Sequence, residues 1–201
     1  MKWLITLIIM GFTMHVQAEE KPLETAIFAG GCFWCIESEL QELDGVSSVV
    51  SGYTGGHVPN PTYEMIGRGD TGHVEAVEVA YDPEQITYET LLDAFWSNID
   101  PTDDGGQFHD RGSHYKTVIF YMNNAQKNLA EASKLKVQAM LELPVATDVL
   151  PAKPFYPAEE YHQDYYKTNP LRYNAYKLGS GREGTLNRVW GDKRPSVTES
   201  K

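Results

Sequence analysis

The chain has two cysteines, Cys32 and Cys35, and both lie in Gly30-Gly31-Cys32-Phe33-Trp34-Cys35. Two glycines let a backbone turn sharply out of a strand and approach a ligand closely. A cysteine at the start of the helix that follows faces unpaired N–H groups and the positive end of the helix dipole, and both favour thiolate. Residues i and i+3 of a helix are neighbours, with Cα atoms about 5 Å apart, a separation a disulfide can span. Cys32 can therefore attack, and Cys35 can resolve, with little backbone movement. In an oxidising compartment the pair could also form a plain disulfide. A bridge closing so short a loop restrains little unfolded chain and makes a poor staple. Redox chemistry or half of a metal site are the better uses of this spacing.

A candidate acid stands further along. From His73 to Tyr81, strand alternation sends His73, Glu75, Val77, Val79 and Tyr81 to one face, and Val74, Ala76, Glu78 and Ala80 to the other. If the Glu75 face is packed, burial raises its carboxyl pKa and makes it a proton donor near neutrality. A carboxylate in water is the alternative. Phe33 and Trp34 are consecutive, so at least one leaves the core face and can cage a small apolar substrate group. His109 and His114 could join the cysteines around zinc, but no recognised zinc spacing is present. His162 reads as a hydrogen-bonded structural residue.

The elements that must position these groups follow from periodicity. Glu24 to Ala29 is a strand stopped by Gly30-Gly31, and Phe33, Ile36, Leu40 and Leu43 mark a helix ending at Asp44-Gly45. Val46 to Tyr53 and His73 to Tyr81 are strands, separated by a loop containing Pro61-Thr62-Tyr63. Tyr88 to Ile99 is a helix, Asp100 to His114 a polar loop, Tyr115 to Met122 a strand and Asn123 to Leu141 a long helix. Val145 to Leu150 offers a short extra strand. The order β-α-β-β-α-β predicts an α+β fold, a two-layer α/β sandwich with a split βαβ (ferredoxin-like) core and an irregular C-terminal extension. Residues 19–201 read as one domain with its core at about 24–184, and the chain beyond Gly184 as a surface tail.

At 201 residues with 41% apolar content, the chain can bury one good core. A net charge of −11 argues against a nucleic-acid binder, which needs surplus Lys and Arg, and weakly against anionic membranes. Lys2, the apolar run Trp3 to Met14 and Val16-Gln17-Ala18 read as a secretory signal over residues 1–18, cut after Ala18. The run is short for a bilayer span, though an uncleaved anchor is the other reading. The mature protein is expected outside the cytoplasm, in a bacterial periplasm, with no stable membrane insertion after cleavage.

Five segments in order resemble the peptide-methionine (S)-S-oxide reductase family, the A-type methionine sulfoxide reductases. They are Gly30-Gly31-Cys32-Phe33-Trp34, Pro61-Thr62-Tyr63, Thr71-Gly72-His73-Val74-Glu75-Ala76-Val77, Asp110-x-Gly112-x-x-Tyr115 and Tyr161-His162-Gln163-x-Tyr165. The resemblance implies that Cys32 attacks the sulfoxide sulfur of free or protein-bound methionine sulfoxide and that Glu75 protonates its oxygen. It further implies that Tyr63 and Tyr115 hydrogen-bond that oxygen, that Asp110 positions the polar network and a water, and that Phe33 and Trp34 hold the substrate methyl. Cys32 is left as a sulfenic acid. Cys35 then resolves it, and a thioredoxin-like protein or other external dithiol reduces the disulfide; no bound cofactor or metal is implied.

Many members of this family have glycine after Gly-Cys-Phe-Trp and resolving cysteines near the C-terminus. Here Cys35 takes the glycine's place and is the one intramolecular resolver available. With no B-type reductase segment, the S epimer is the expected substrate, and a monomer is expected. A thioredoxin-like thiol-disulfide oxidoreductase also carries Cys-x-x-Cys at a helix start, but has no use for Glu75 or the tyrosines. Cys32→Ser is expected to abolish reduction, because serine cannot take the oxygen; methionine released in a single turnover of that variant would remove Cys32 as nucleophile.

Overall fold

The computed structural model describes residues 22–196, so the signal read at residues 1–18 lies outside the described residues. The first half runs β1 (Glu24–Gly30), α1 (Phe33–Gln41), β2 (Val46–Thr54), α2 (Tyr63–Gly67), β3 (Val74–Tyr81) and α3 (Tyr88–Ser97). The second half runs β4 (Gly106–Gln107), β5 (Asp110–Arg111), β6 (Thr117–Tyr121), α4 (Asn124–Leu141), β7 (Asp148–Pro151), β8 (Tyr156–Pro157), α5 (Tyr165–Thr168), α6 (Pro170–Gly179) and α7 (Arg182–Trp190). Helix starts follow local chemistry. Thr87 Oγ1 accepts the Thr90 N–H at 3.1 Å, and Asn123 Oδ1 accepts the Gln126 N–H at 2.9 Å.

One six-stranded sheet has the order β7-β6-β1-β3-β2-β8. Every neighbouring pair is antiparallel except β6 with β7. β3 therefore separates β1 from β2, which is the split β-α-β arrangement, and β1 separates β3 from β6. Alternation assigns the faces as expected. Ala26, Phe28, Val77 and Val79 point into the larger core, where they meet Ile36 and Leu40 of α1, Leu91, Leu92 and Phe95 of α3, and Ala130 and Val137 of α4. Ile27, Ala29, Val74, Ala76, Val118 and Phe120 face the other side, covered by Ala152 and Phe155.

Two expectations need correction. Tyr115 ends a 3-10 turn, Ser113–Tyr115, and the strand begins only at Thr117. The C-terminal extension is only partly irregular and does not trail off at Gly184: α7 sends Leu186 and Trp190 into the main core, 0% and 1% exposed. Trp190 Nε1 donates to the Ile99 carbonyl at 2.9 Å, satisfying the one polar atom of the buried ring. Two anchors four residues apart suffice to seat a helix whose other residues are mostly polar, which is why periodicity understated it. Trp190→Ala is expected to destabilise the protein by about 3–5 kcal/mol. A guanidinium titration showing an unchanged midpoint would restore the tail reading.

Candidate active site

β1 reaches α1 through Gly30 and Gly31, and both must lack a side chain. Gly31 has φ of +79°, and a Cβ there would lie 2.6 Å from Cβ of Gln107; one on Gly30 would lie 2.7 Å from Ile36 Cδ1. The turn leaves Cys32 as the N-cap of α1, 6% exposed, with Cys35 fully buried one turn on; neither is in a disulfide. The helix start does not ionise Cys32 as expected. The first N–H of α1, that of Phe33, goes to Glu75 Oε2 at 3.0 Å. Burial, reinforced by Cys35 and by Glu75, pushes the Cys32 thiol well above its usual range. Cys35 moves the opposite way, down to about 6, chiefly because the Cys32 thiol donates a hydrogen bond to it, with Arg182 and Lys177 adding positive charge against the effect of burial.

Glu75 is 2% exposed, on the packed face of β3 that alternation assigned to it. Burial pushes its pKa up to about 8, with the nearby charges of Asp110 and Cys35 adding to it and the Phe33 N–H opposing. It is therefore a neutral acid at pH 7. Burial raises the pKa values of both Tyr63 and Tyr115, so both hydroxyls stay protonated donors. Asp110 accepts the Tyr176 hydroxyl hydrogen. Cys32, Phe33, Trp34, Tyr63, Glu75, Asp110, Tyr115 and Tyr176 line one cavity of about 100 Å³. Of the site residues read from sequence, only Cys35 lies behind this cavity, and it sits against Cys32.

Phe33 goes into the core, and Trp34 forms the half-exposed cavity wall. The indole stacks on Tyr165 at 3.8 Å and 7°, and its Nε1 donates to His162 Nδ1 at 3.1 Å. His162 is thus hydrogen-bonded, as expected. Its segment is clipped in place: Glu37 Oε1 accepts the Asp164 N–H at 3.0 Å, while Gln163 takes the Ser51 N–H at 3.0 Å and donates to the Ser51 carbonyl at 2.9 Å. Sequence reading missed Tyr176, Glu37, Tyr173 and Arg182. Tyr173 and Tyr176, three apart in a polar helix, were the available signal for a face turned toward a site.

The family model for peptide methionine sulfoxide reductase matches residues 24–194. The peptide methionine sulfoxide reductase MsrA of Bacillus licheniformis is 56% identical over 179 residues, covering 88% of this chain and 98% of that protein. Among solved structures, reduced Mxr1 from Saccharomyces cerevisiae aligns with a TM-score of 0.72 and 30% identity, over 78% of this chain and 91% of its own. Methionine sulfoxide reductase A of Corynebacterium diphtheriae gives 0.69 and 33%, over 76% and 78%.

Replacing Glu75 by Gln keeps shape and can keep the bond from the Phe33 N–H, but removes the proton. Sulfoxide reduction should slow by roughly 10²–10⁴-fold with the melting temperature little changed. An acid role for Glu75 predicts that wild-type activity falls as pH rises through about 8. The variant should lack that limb, and a variant that keeps it, or one that unfolds, would take the acid role from Glu75.

Proposed function

This chain belongs to the peptide methionine sulfoxide reductase family and is a thiol-dependent oxidoreductase; we propose that Cys32, Glu75 and the tyrosine pair carry its reaction on the S epimer. One observation carries the reading: a single small cavity holds a buried thiol, a buried neutral acid and two phenol hydroxyls. The substrate methyl packs against Phe33 and Trp34, its oxygen faces Glu75, Tyr63 and Tyr115, and its sulfur lies over Cys32. Three contacts of different chemistry around one sulfur fix its handedness.

Cys32 sulfur attacks the sulfoxide sulfur as Glu75 gives its proton to the oxygen. The attack makes an S–S bond; as the oxygen passes to the Cys32 sulfur, that S–S bond and the sulfoxide S–O bond break, the substrate sulfur leaves as the thioether with its lone pair restored, and Cys32 is left as a sulfenic acid. A thiol and a sulfoxide become a sulfenic acid and a thioether with no net proton uptake. A neutral Cys32 beside a neutral Glu75 is therefore a competent starting pair, since the proton Cys32 loses can refill Glu75.

Cys35 then attacks the Cys32 sulfur, water leaves, and the resulting disulfide is reduced by an external dithiol of thioredoxin type. The signal-like residues 1–18 support export, so the mature enzyme is read as a periplasmic monomer recycled by a thioredoxin-fold protein of that compartment. Among the described residues no helix is long and apolar enough to cross a membrane.

Cys35→Ser should still release about one methionine per enzyme, because the Cys32 step needs no second thiol. It should then stall with one added oxygen on Cys32 by mass spectrometry, and a thioredoxin-type protein should fail to recycle it. Normal recycling would mean that the partner itself resolves Cys32.

A further inference from the structure

Arg182 opens α7 and is 1% exposed. Its Nη1 donates to the Asn98 carbonyl at 2.5 Å, its guanidinium carbon lies 4.4 Å from the centre of the Phe108 ring, and its buried Nε has no hydrogen-bond partner. Among the described residues it forms no ion pair with a carboxylate. A cation buried without a counter-charge is strongly destabilising, so a fold that keeps one supplies a negative group nearby. The charge that acts on it is first that of Cys35, then of Cys32, Tyr176 and Glu39, and Cys35 packs with Tyr173 and Tyr176 of α6, the helix that leads directly into α7. Glu39 is committed to Lys177 at 2.6 Å, and Tyr176 keeps its proton for Asp110. Cys35, wholly buried, is the group left to carry the balancing charge.

We propose that Arg182 is a positioning residue for the resolving step, acting as the buried counter-charge that keeps Cys35 a thiolate once Cys32 has become a sulfenic acid. The inference rests on the reading of Cys35 as the resolving thiol. In the resting enzyme, the first support of the Cys35 charge is the hydrogen bond from the Cys32 thiol. Turnover consumes that S–H. The groups facing Cys35 are Cys32, Glu75 on β3, Tyr173, Tyr176 and Lys177 on α6, and Arg182 on α7. Of the two cations, Lys177 is already neutralised by Glu39 and part-exposed, whereas Arg182 is buried and unpaired. The Cys35 thiolate then attacks Cys32 sulfur. An S–S bond forms, the S–O bond of the sulfenic acid breaks, and the departing oxygen takes up a proton and leaves as water. Cys35 is oxidised and the sulfenic sulfur is reduced, so no further reagent is needed.

The test uses the full chain with Arg182→Met, Arg182→Gln (a polar neutral variant that can keep the Asn98 bond) and Arg182→Lys. Each is mixed with one equivalent of methionine sulfoxide, quenched by alkylation and read by mass spectrometry for methionine, sulfenic acid and disulfide, over roughly pH 5 to 9. In the neutral variants, disulfide formation at neutral pH should slow on the order of tenfold or more, and its pH midpoint should rise by about one unit or more. Arg182→Lys should restore most of both. A merely structural role would lower the melting temperature and slow methionine release and resolution together, without moving the pH midpoint. That result, or a neutral variant resolving at the wild-type rate and midpoint, overturns the role of Arg182 while leaving Cys35 as resolver. Should Met and Gln both fail to fold, an Arg182→Lys enzyme with methionine release intact but slow resolution at every pH would also overturn it. Absence of a Cys32–Cys35 disulfide in the wild type would instead remove Cys35 as resolver.

Discussion

The hydrogen bond from the Phe33 N–H to Glu75 is where the sheet and the first helix meet, and the chemistry depends on it. It brings a carboxyl from the middle of the sheet beneath the start of a helix and holds the thiol of the preceding residue beside it. Because the pair is buried, the acid keeps its proton at neutrality. Burial, with Cys35 and Glu75 beside it, outweighs the helix start and keeps the Cys32 thiol protonated. The fold thus favours a protonated acid over an ionised nucleophile, which suits an oxygen that is a poor leaving group until it is protonated.

A second charge pattern lies behind the first. Cys35 sits one helical turn deeper, near Arg182 of α7 and beneath the tyrosines of α6. The cavity presents neutral proton donors, Glu75 as its acid and two phenols, beside the Asp110 carboxylate that Tyr176 caps, while the cations lie behind it with Cys35. Burial raises the pKa of both thiols, and at Cys35 alone the hydrogen bond from Cys32 and the cations Arg182 and Lys177 outweigh it.

Most of this front could be read from sequence because it follows from local rules. Paired glycines before a cysteine mark a tight turn into a helix, and period-two alternation in β3 puts Glu75 with Val77 and Val79. The back could not be read that way. Arg182 in a polar stretch resembles any surface arginine, and only packing against Phe108 and Asn98 makes it buried. Tyr176 and Tyr173 sit in a helix with few apolar residues, so their inward face is set by tertiary contact. The raised pKa of Cys32 has the same origin: its burial and the approach of Glu75 on β3 are set by tertiary packing, and no local pattern encodes them. Trp190 shows the limit for packing, since one large ring with one satisfied N–H holds a helix that periodicity alone does not mark.

The segment from Glu159 to Tyr165 is fastened at both ends, by Glu37 and Gln163 on one side and by Glu159 accepting the Tyr53 hydroxyl and the Tyr63 N–H at 2.8 and 2.9 Å on the other. That segment stands behind the cavity wall, where His162 and Tyr165 hold Trp34, and the cavity itself, about 100 Å³, has room for one side chain and not for a stretch of polypeptide. A polypeptide must offer the damaged residue as a protruding side chain, with its own backbone left outside. Sulfoxides locked in the interior of a client protein stay out of reach until that client loosens. Since oxidation turns an apolar side chain polar and disrupts the packing around it, the lesion itself helps to deliver its side chain to the enzyme, and the clients served first are those whose folding the damage has already weakened.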